Sequence, residues 1–404
     1  MTTLMDVPAV TGQYEATARP AHWGGVLAMT LCVLALIASE FMPVSLLTPM
    51  AADLHVSEGL AGYGIAISGA FAVITSLSIS TLAGSMNRKT LLLALTGLMA
   101  VSGAVVALAP NYVVYLAGRA LIGVVIGGFW SMSAATAIRL VPTAQVPRAL
   151  AVFNGGNALA TVIAAPLGSH LGSVVGWRGA FFCLIPVAAV AFIWQWISLP
   201  SMAAERADGS GNVFRLFKRR TVVLGMAACG AFFMGQFTLF TYVRPFLETV
   251  TRVDVSTLSL ILLAIGIAGV IGTAMIGTFL KGGLYRILIV IPVLMAAIAL
   301  ALIPLGAWMW PVAVLFALWG LLATAAPVGW WSWIADAMPE EDAEAGGGLM
   351  VAVIQLAIAL GSTVGGMLFD GSGYRSTFVA SAVALLLGAF LTLLTSRASA
   401  GRAA

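Results

Sequence analysis

The apolar run at residues 24–50 contains the segment Ser39-Glu40-Phe41-Met42-Pro43, and Glu40 is the only charged residue in that run. A helix crosses a hydrocarbon core of about 30 Å with about 20 residues, so the run is long enough to span a membrane. An ionised carboxylate is costly in hydrocarbon and usually marks a proton or substrate route. Pro43 removes a backbone donor and can kink the helix beside the carboxylate. A glutamate that lies against neighbouring hydroxyls or near the membrane edge is the plainer alternative.

The composition of the whole chain is that of a membrane protein. Of its 404 residues, 61% are hydrophobic and 8% are charged, and the mean hydropathy is +1.05. Soluble domains carry about 25% charged residues, so this chain must bury much of its surface in lipid. The formal net charge of +4 comes from basic residues scattered among loops, which does not indicate nucleic-acid binding.

Enzymatic and metal-dependent functions find little support in the sequence. The three cysteines and three histidines show no metal-ligand spacing, and no nucleophile–base constellation is visible. No phosphate-binding Gly-x-x-x-x-Gly-Lys-Ser/Thr loop is present, which excludes a primary pump of that kind. We therefore expect no enzyme activity, no metal and no cofactor. A channel or a transporter-like sensor stays open as an alternative to a carrier.

Twelve apolar runs follow one another along the chain. They lie at about residues 24–50, 60–83, 90–108, 112–140, 149–171, 177–199, 222–247, 256–280, 284–306, 310–338, 346–369 and 376–395. Each is long enough to cross a membrane. The predicted fold is an all-α membrane protein of two six-helix halves, at residues 23–199 and 222–396. We expect cytoplasmic segments at 1–22, 200–221 and 397–404.

Basic residues predict the orientation in the membrane. Three of them fall on the side opposite the termini: Arg178, Arg252 and Arg375. Many more fall on the side of the termini: Arg19, Arg88, Lys89, Arg139, Arg148, Arg206, Arg215, Lys218, Arg219, Arg220, Lys281, Arg286, Arg397 and Arg402. Because lysine and arginine are retained on the cytoplasmic side, both termini should be cytoplasmic.

The two halves carry similar residues at one constant offset. Pro142, Gly168 and Gly176-Trp177-Arg178 in the first half correspond to Pro339, Gly365 and Gly373-Tyr374-Arg375 in the second. Parallel repeats of this kind occur in transporters whose substrate site lies between the halves.

Several segments resemble motifs of the major facilitator superfamily, and the resemblance covers the chain apart from its tails. They are residues 84–89 after the second run, 118–123 in the fourth, and 160–168 with Pro166 in the fifth, which resembles the antiporter signature. Longer strings at 40–50, 127–134, 139–142, 241–245, 327–330 and 351–356 are similar to members that export purine ribonucleosides.

The resemblance implies a proton antiporter that exports purine ribonucleosides such as inosine and guanosine from the cytoplasm. It further implies a bacterial inner-membrane location, and we expect a monomer. Multidrug and sugar exporters of the superfamily share some of the strings, so drug or sugar efflux remains the alternative.

Glu40 and Arg119 are the candidates for proton coupling. Glu40 lies about 24 Å along its helix from the predicted cytoplasmic end, and Arg119 lies about 10 Å from the other end of its own helix, so both fall at similar depth. A nearby cation favours the ionised acid and desolvation favours the protonated one. A static ion pair between the first and fourth helices is the alternative.

Amide and aromatic side chains within the runs are the candidates for substrate binding, because amides pair with the edge of a purine and rings stack on its face. They are Trp130, Asn154, Asn157, Gln236, Tyr242, Trp330 and Gln355. We expect Arg244 to extend from its helix towards the membrane surface.

Overall fold

The computed structural model describes residues 21–84, 86–142, 145–202, 219–280, 283–338 and 343–403. Residues 1–20 of the expected tail and residues 203–218 of the expected linker at 200–221 lie outside these ranges. So does the side chain of Asn154, together with a few others inside helices.

Within the described ranges the chain is built from long helices. These are α1 (Trp23–Leu54), α2 (Glu58–Ala83), α3 (Arg88–Ala107), α4 (Tyr112–Arg139), α5 (Val146–Phe182), α6 (Leu184–Ser198), α7 (Arg220–Phe240), α8 (Val255–Leu280), α9 (Leu284–Leu305), α10 (Met309–Ala337), α11 (Ala343–Ser372) and α12 (Tyr374–Ala403). A short helical turn, Val243–Phe246, and a π-helical turn, Leu247–Thr251, continue α7. The predicted all-α fold is confirmed.

A glycine divides the longest helical stretch into two membrane crossings. Eleven stretches of the described chain are long and apolar enough to span a membrane, and one of them, Arg148–Ser198, has 51 residues. Inside it Gly176 adopts φ 74°, a left-handed conformation that glycine reaches without steric cost. Gly373, its counterpart in the second half, adopts φ 78° between α11 and α12. The repeat therefore holds at the level of backbone conformation, and twelve crossings result.

Side-chain caps begin several helices. The carboxamide oxygen of Asn87 accepts a hydrogen bond from the N–H of Lys89 at 2.9 Å at the start of α3, and Asn111 accepts from Val114 at 3.1 Å at the start of α4. In the loop before α8, Asp254 accepts from the hydroxyl of Thr257 at 2.5 Å. This hydrogen bond holds the pKa of the Asp254 carboxyl below its usual range.

The two halves lie side by side with the same orientation. At one end of the first half, the N–H of His22 bonds the carbonyl of Leu140 at 2.8 Å, which places the start of α1 beside the end of α4. We call this end, where the described chain begins and ends, the termini side, and the opposite end the far side. Helix α2 of the first half packs antiparallel against α11 of the second, so that Gly59 lies against Gly366 on the far side and Gly69 against Gln355 at mid-depth.

Candidate functional site

A cavity of about 790 Å³ lies between the two halves. Its walls come from α1, α4 and α5 on one side and from α7, α8, α10 and α11 on the other. Along α5 the lining runs from Leu150, near the termini side, to Ala165, and along α10 from Trp319 to Trp331 at the termini side. The volume falls in the range of about 300–1,000 Å³ that is typical of small-molecule sites.

Glu40 is the only ionisable side chain among the described residues that line this cavity. It is 4% exposed. One carboxylate oxygen accepts a hydrogen bond from the amide nitrogen of Gln355, on the opposite half, at 3.3 Å. The acid that the sequence singled out therefore lies at the centre of the bundle, in contact with both halves.

Arg119 binds the backbone of α1 at Ser39 and Glu40. It is 1% exposed, and its Nη1 donates to the carbonyl of Ser39 at 2.7 Å, while Nη2 donates to the carbonyl of Glu40 at 3.1 Å. Pro43 explains the first contact, because a proline has no N–H for the carbonyl four residues earlier, which is Ser39. The guanidinium replaces that missing donor.

The alternative of a static ion pair between Glu40 and Arg119 is wrong for this conformation. In the described part of the chain the guanidinium donates to the two carbonyls of α1, to the carbonyl of Gly64 at 3.1 Å and to the hydroxyl of Ser68 at 3.2 Å, and forms no ion pair. Arg119 fixes α1 to α2 and α4 and leaves the carboxylate facing the cavity.

Three of the predicted amides line the cavity. Asn157 lies on α5, Gln236 on α7 and Gln355 on α11. Within the described chain neither Asn157 nor Gln236 donates or accepts a side-chain hydrogen bond, and the amide oxygens of Gln236 and Gln355 are buried without a partner. Unpaired amide groups at a cavity wall are available to a polar ligand. Asn154 was also expected here, but its side chain lies outside the described residues.

Aromatic rings form much of both walls. Trp130, as expected, lines the cavity and packs edge-on against Phe153 with 6.3 Å between ring centroids. Phe41 of the first half stacks on Phe237 of the second at 5.7 Å, so a pair of rings spans the interface beside Glu40. Trp319 and Trp331 line the wall made by α10.

Two predicted substrate residues lie away from the cavity. Tyr242 is fully buried on the far side, where its hydroxyl donates to the carbonyl of Ser362 at 2.7 Å and its ring stacks on Phe369 at 5.3 Å. Trp330 is 2% exposed and packs edge-on against Trp333 inside the core of the second half. One residue further along the helix, Trp331 faces the cavity instead, because successive helical residues point about 100° apart.

Sequence reasoning missed most of the α10 wall. The sequence signal for this wall is a stripe of small residues at three- and four-residue spacing that ends at Trp331. The stripe consists of Gly320, Ala323, Thr324 and Pro327.

The expectation that Arg244 extends towards the membrane surface was wrong. It is 6% exposed and donates to the backbone carbonyl of Ser45 in α1 instead of extending to the membrane surface.

The far side of the cavity is closed. There Asp370 of α11 accepts from the hydroxyl of Ser57 at 2.5 Å and from the N–H of Gly59 at 3.0 Å. Ser259 of α8 donates to Ser169 of α5 at 3.0 Å. Among the described residues, the other hydrogen bonds between the halves are those of Gln355 with Glu40 at mid-depth and of Arg244 with Ser45.

Two similar six-helix halves around a central cavity define the architecture of a secondary transporter. The family model described as Major Facilitator Superfamily matches residues 29–362, and the chain belongs to this superfamily. This confirms the predicted family and a transporter fold, not an enzyme.

Several relatives match nearly the whole chain. The chain is 64% identical over 400 residues to the transcription regulatory protein OpdE of Pseudomonas aeruginosa. That alignment covers 98% of this chain and 99% of that relative. The chain is 40% identical over 377 residues to the purine ribonucleoside efflux pump NepI of Salmonella typhimurium, which covers 93% of this chain and 94% of the pump.

Solved structures share the fold. A D-xylose-proton symporter superposes with a TM-score of 0.73 at 15% identity, covering 92% of this chain and 96% of its own. A bacterial homolog of the human lysosomal transporter Spinster, inward-facing and unoccupied, superposes with a TM-score of 0.72 at 17% identity, covering 94% and 98%. At these identities the likeness shows the fold alone.

Proposed function

We propose that this protein exports purine ribonucleosides, such as inosine and guanosine, in exchange for protons. The observation that carries the proposal is Glu40, the one ionisable side chain among the described residues that line a cavity of rings and amides. The identity to the purine ribonucleoside efflux pump supports the substrate class. We place the protein in a bacterial inner membrane as a monomer, with the halves at residues 23–199 and 222–396 and both termini in the cytoplasm.

Proton exchange is assigned to Glu40. Its carboxyl is buried between the halves and pairs with Gln355 of the other half, so relative motion of the halves changes both its hydrogen bonding and its access to water. Each of these changes shifts the balance between a protonated and an ionised acid. Arg119 acts through α1, since it holds the backbone on either side of the Ser39–Glu40 bond in place.

Substrate binding is assigned to Trp130, Asn157, Gln236 and Gln355. A purine nucleoside is flat, uncharged and rich in donors and acceptors. Rings stack on such a base, and amides present both a donor and an acceptor to its edge. Lipophilic cations would call for acidic walls, and the described lining offers only Glu40. The rings and unpaired amides therefore favour a neutral aromatic substrate over a cationic drug.

Transport by everted membrane vesicles tests the proposal. Vesicles with an acidified lumen should accumulate labelled inosine and lose their pH gradient faster when inosine is added. Unlabelled guanosine should compete, whereas a lipophilic cation or a sugar should not. Accumulation of the cation or the sugar in place of inosine would contradict the nucleoside assignment and support drug or sugar efflux, and accumulation without proton movement would contradict antiport.

A regulatory function is the second candidate, and the 64% identity to a transcription regulatory protein favours it. A carrier can alter transcription without touching DNA, because export lowers the cytoplasmic concentration of an inducer. A sensor would instead signal from the substrate-bound state. The two differ in whether the effect on transcription requires transport.

A further inference from the structure

Two prolines leave two carbonyls of α1 without their helical donors. Pro43 and Pro49 both lie inside α1. A proline lacks the N–H that would bond the carbonyl four residues earlier, so the carbonyls of Ser39 and Ser45 lose their usual partners. Within a membrane such groups must be satisfied by other protein groups.

A buried arginine meets each of these carbonyls. Arg119 of α4 donates to Ser39 at 2.7 Å, and Arg244, just after α7, donates to Ser45. The two contacts differ in one respect. Arg119 belongs to the same half as α1, whereas Arg244 belongs to the other half. The contact between Arg244 and Ser45 therefore joins the halves, while the contact between Arg119 and Ser39 does not.

The π-helical turn that follows α7 positions the Arg244 guanidinium. Glu248, four residues later, accepts from Nε of Arg244 at 2.8 Å, and its carboxylate also lies 2.8 Å from Nη2. The remaining nitrogen, Nη1, is then directed at Ser45. This arrangement uses the planar fork of an arginine, because a lysine cannot serve a carboxylate and a carbonyl with separate fixed donors.

The contact lies at the far side of the cavity. Tyr242, two residues before Arg244, packs against Gly62 of α2 and Gly366 of α11. The hydrogen bonds of Asp370 with Ser57 and Gly59 lie at the same end. Any conformation in which the cavity opens to the far side has to separate these groups.

We propose that Arg244 is a positioning residue of the transport cycle. It holds the far side closed by bonding the Ser45 carbonyl that Pro49 leaves free, and it releases that carbonyl when the far side opens. The inference rests on the proposed transport by relative motion of the two halves, but not on the identity of the substrate.

A double-mutant cycle tests the pairing of Arg244 with Pro49. The substitution Pro49→Ala restores a backbone N–H to the Ser45 carbonyl, so it should make the arginine largely dispensable. The reporter is Ala61→Cys, a fully buried position on α2 at the far side, in a Cys183→Ser background that removes the exposed native thiol. Labelling of intact cells by a membrane-impermeant maleimide, without substrate, measures opening to the far side.

Arg244→Ala alone should raise the labelling rate about tenfold or more, as expected for loss of a hydrogen bond from a charged donor. In the Pro49→Ala background the same substitution should change the rate less than about twofold, since the carbonyl keeps a helical donor. Equal effects in both backgrounds, or no effect in either, would overturn the proposal.

Pro43→Ala is the matched control. It restores a helical N–H donor to the carbonyl of Ser39, which Arg119 bonds and Arg244 does not. Arg244→Ala should therefore have its full effect in that background. Loss of the effect there as well would show a general response of α1 and overturn the specific pairing. If Arg244→Ala does not yield folded protein by gel filtration, Arg244→Lys takes its place in the same cycle.

Labelling and transport fail independently. A cycle that behaves as expected in a protein that moves no nucleoside would leave the closure by Arg244 standing and refute the proposed substrate. Normal inosine export with no coupling between positions 49 and 244 would support the proposed substrate and refute the closure by Arg244.

Discussion

The amide nitrogen of Gln355 donates to a carboxylate oxygen of Glu40 across the interface between the two halves, at 3.3 Å. The amide oxygen of Gln355 is buried and has no partner in the described chain. An ionised carboxylate only accepts hydrogen bonds, whereas a protonated one also donates. The amide can therefore pair with Glu40 in either protonation state, through its nitrogen in one and its oxygen in the other.

Replacing Gln355 by alanine should impair both binding and coupling. The substitution removes the partner of Glu40 and a group assigned to the purine, so inosine affinity should fall about tenfold, as for loss of about 1.5 kcal/mol. Inosine-dependent thermal stabilisation of the purified protein measures affinity, and vesicle flux measures coupling. Leu356→Ala, at a neighbouring residue that is 48% exposed, is the control and should change neither. Unchanged affinity and flux in Gln355→Ala would remove Gln355 from the site.

A pair of tryptophan substitutions separates the cavity from the core. Trp130→Leu should weaken inosine binding by about 1–3 kcal/mol, because a base loses its stacking partner. Its effect on thermal stability should be small, since Trp130 is only partly buried. Trp330→Leu should lower the thermal stability and leave inosine binding nearly unchanged. It removes a ring that is 2% exposed and leaves a cavity in the core of the second half. Inosine titrations and unfolding temperatures, measured on both variants, decide; equal binding losses would contradict the placement of Trp330.

The fold was predictable because a membrane imposes it. Each crossing needs about 20 apolar residues, so the composition and the run lengths indicate twelve helices before any contact is known. The repeat was also visible, since Gly176 and Gly373 occupy the same left-handed position in each half.

The site was only partly predictable. Glu40 and Arg119 stood out as charges in apolar runs, but depth along a helix does not say which way a side chain points. In the structure the Arg119 guanidinium binds carbonyls of α1, and the Glu40 carboxylate faces Gln355. Neither direction could be read from the sequence. For Trp330 and Trp331 the difference between core and cavity is one residue of helical phase, which tertiary packing decides.

Reporter fusions test the orientation. If the basic residues hold the termini side in the cytoplasm, a phosphatase that is active only in the periplasm should be silent when fused after Ala404 and active when fused after Asp53 or Asp370. A cytoplasmic reporter at the same three positions should give the inverse pattern. Phosphatase activity at Ala404 would reverse the orientation and with it the direction of the proposed export.

Replacing Glu40 by glutamine should separate transport from binding. The amide keeps the size of the side chain and its contact with Gln355, so inosine affinity should change less than about threefold, or under 1 kcal/mol. It cannot release a proton, so accumulation driven by a pH gradient should fall to the level of vesicles without the protein. Asp336→Asn, at an exposed acid near the termini side of α10, is the control and should transport normally.

Glu40→Gln also tests the regulatory alternative. If export of an inducer causes a change in transcription, Glu40→Gln should abolish that change together with the flux. A transcriptional response that survives in Glu40→Gln would mean that the bound state itself is the signal and would favour a sensor.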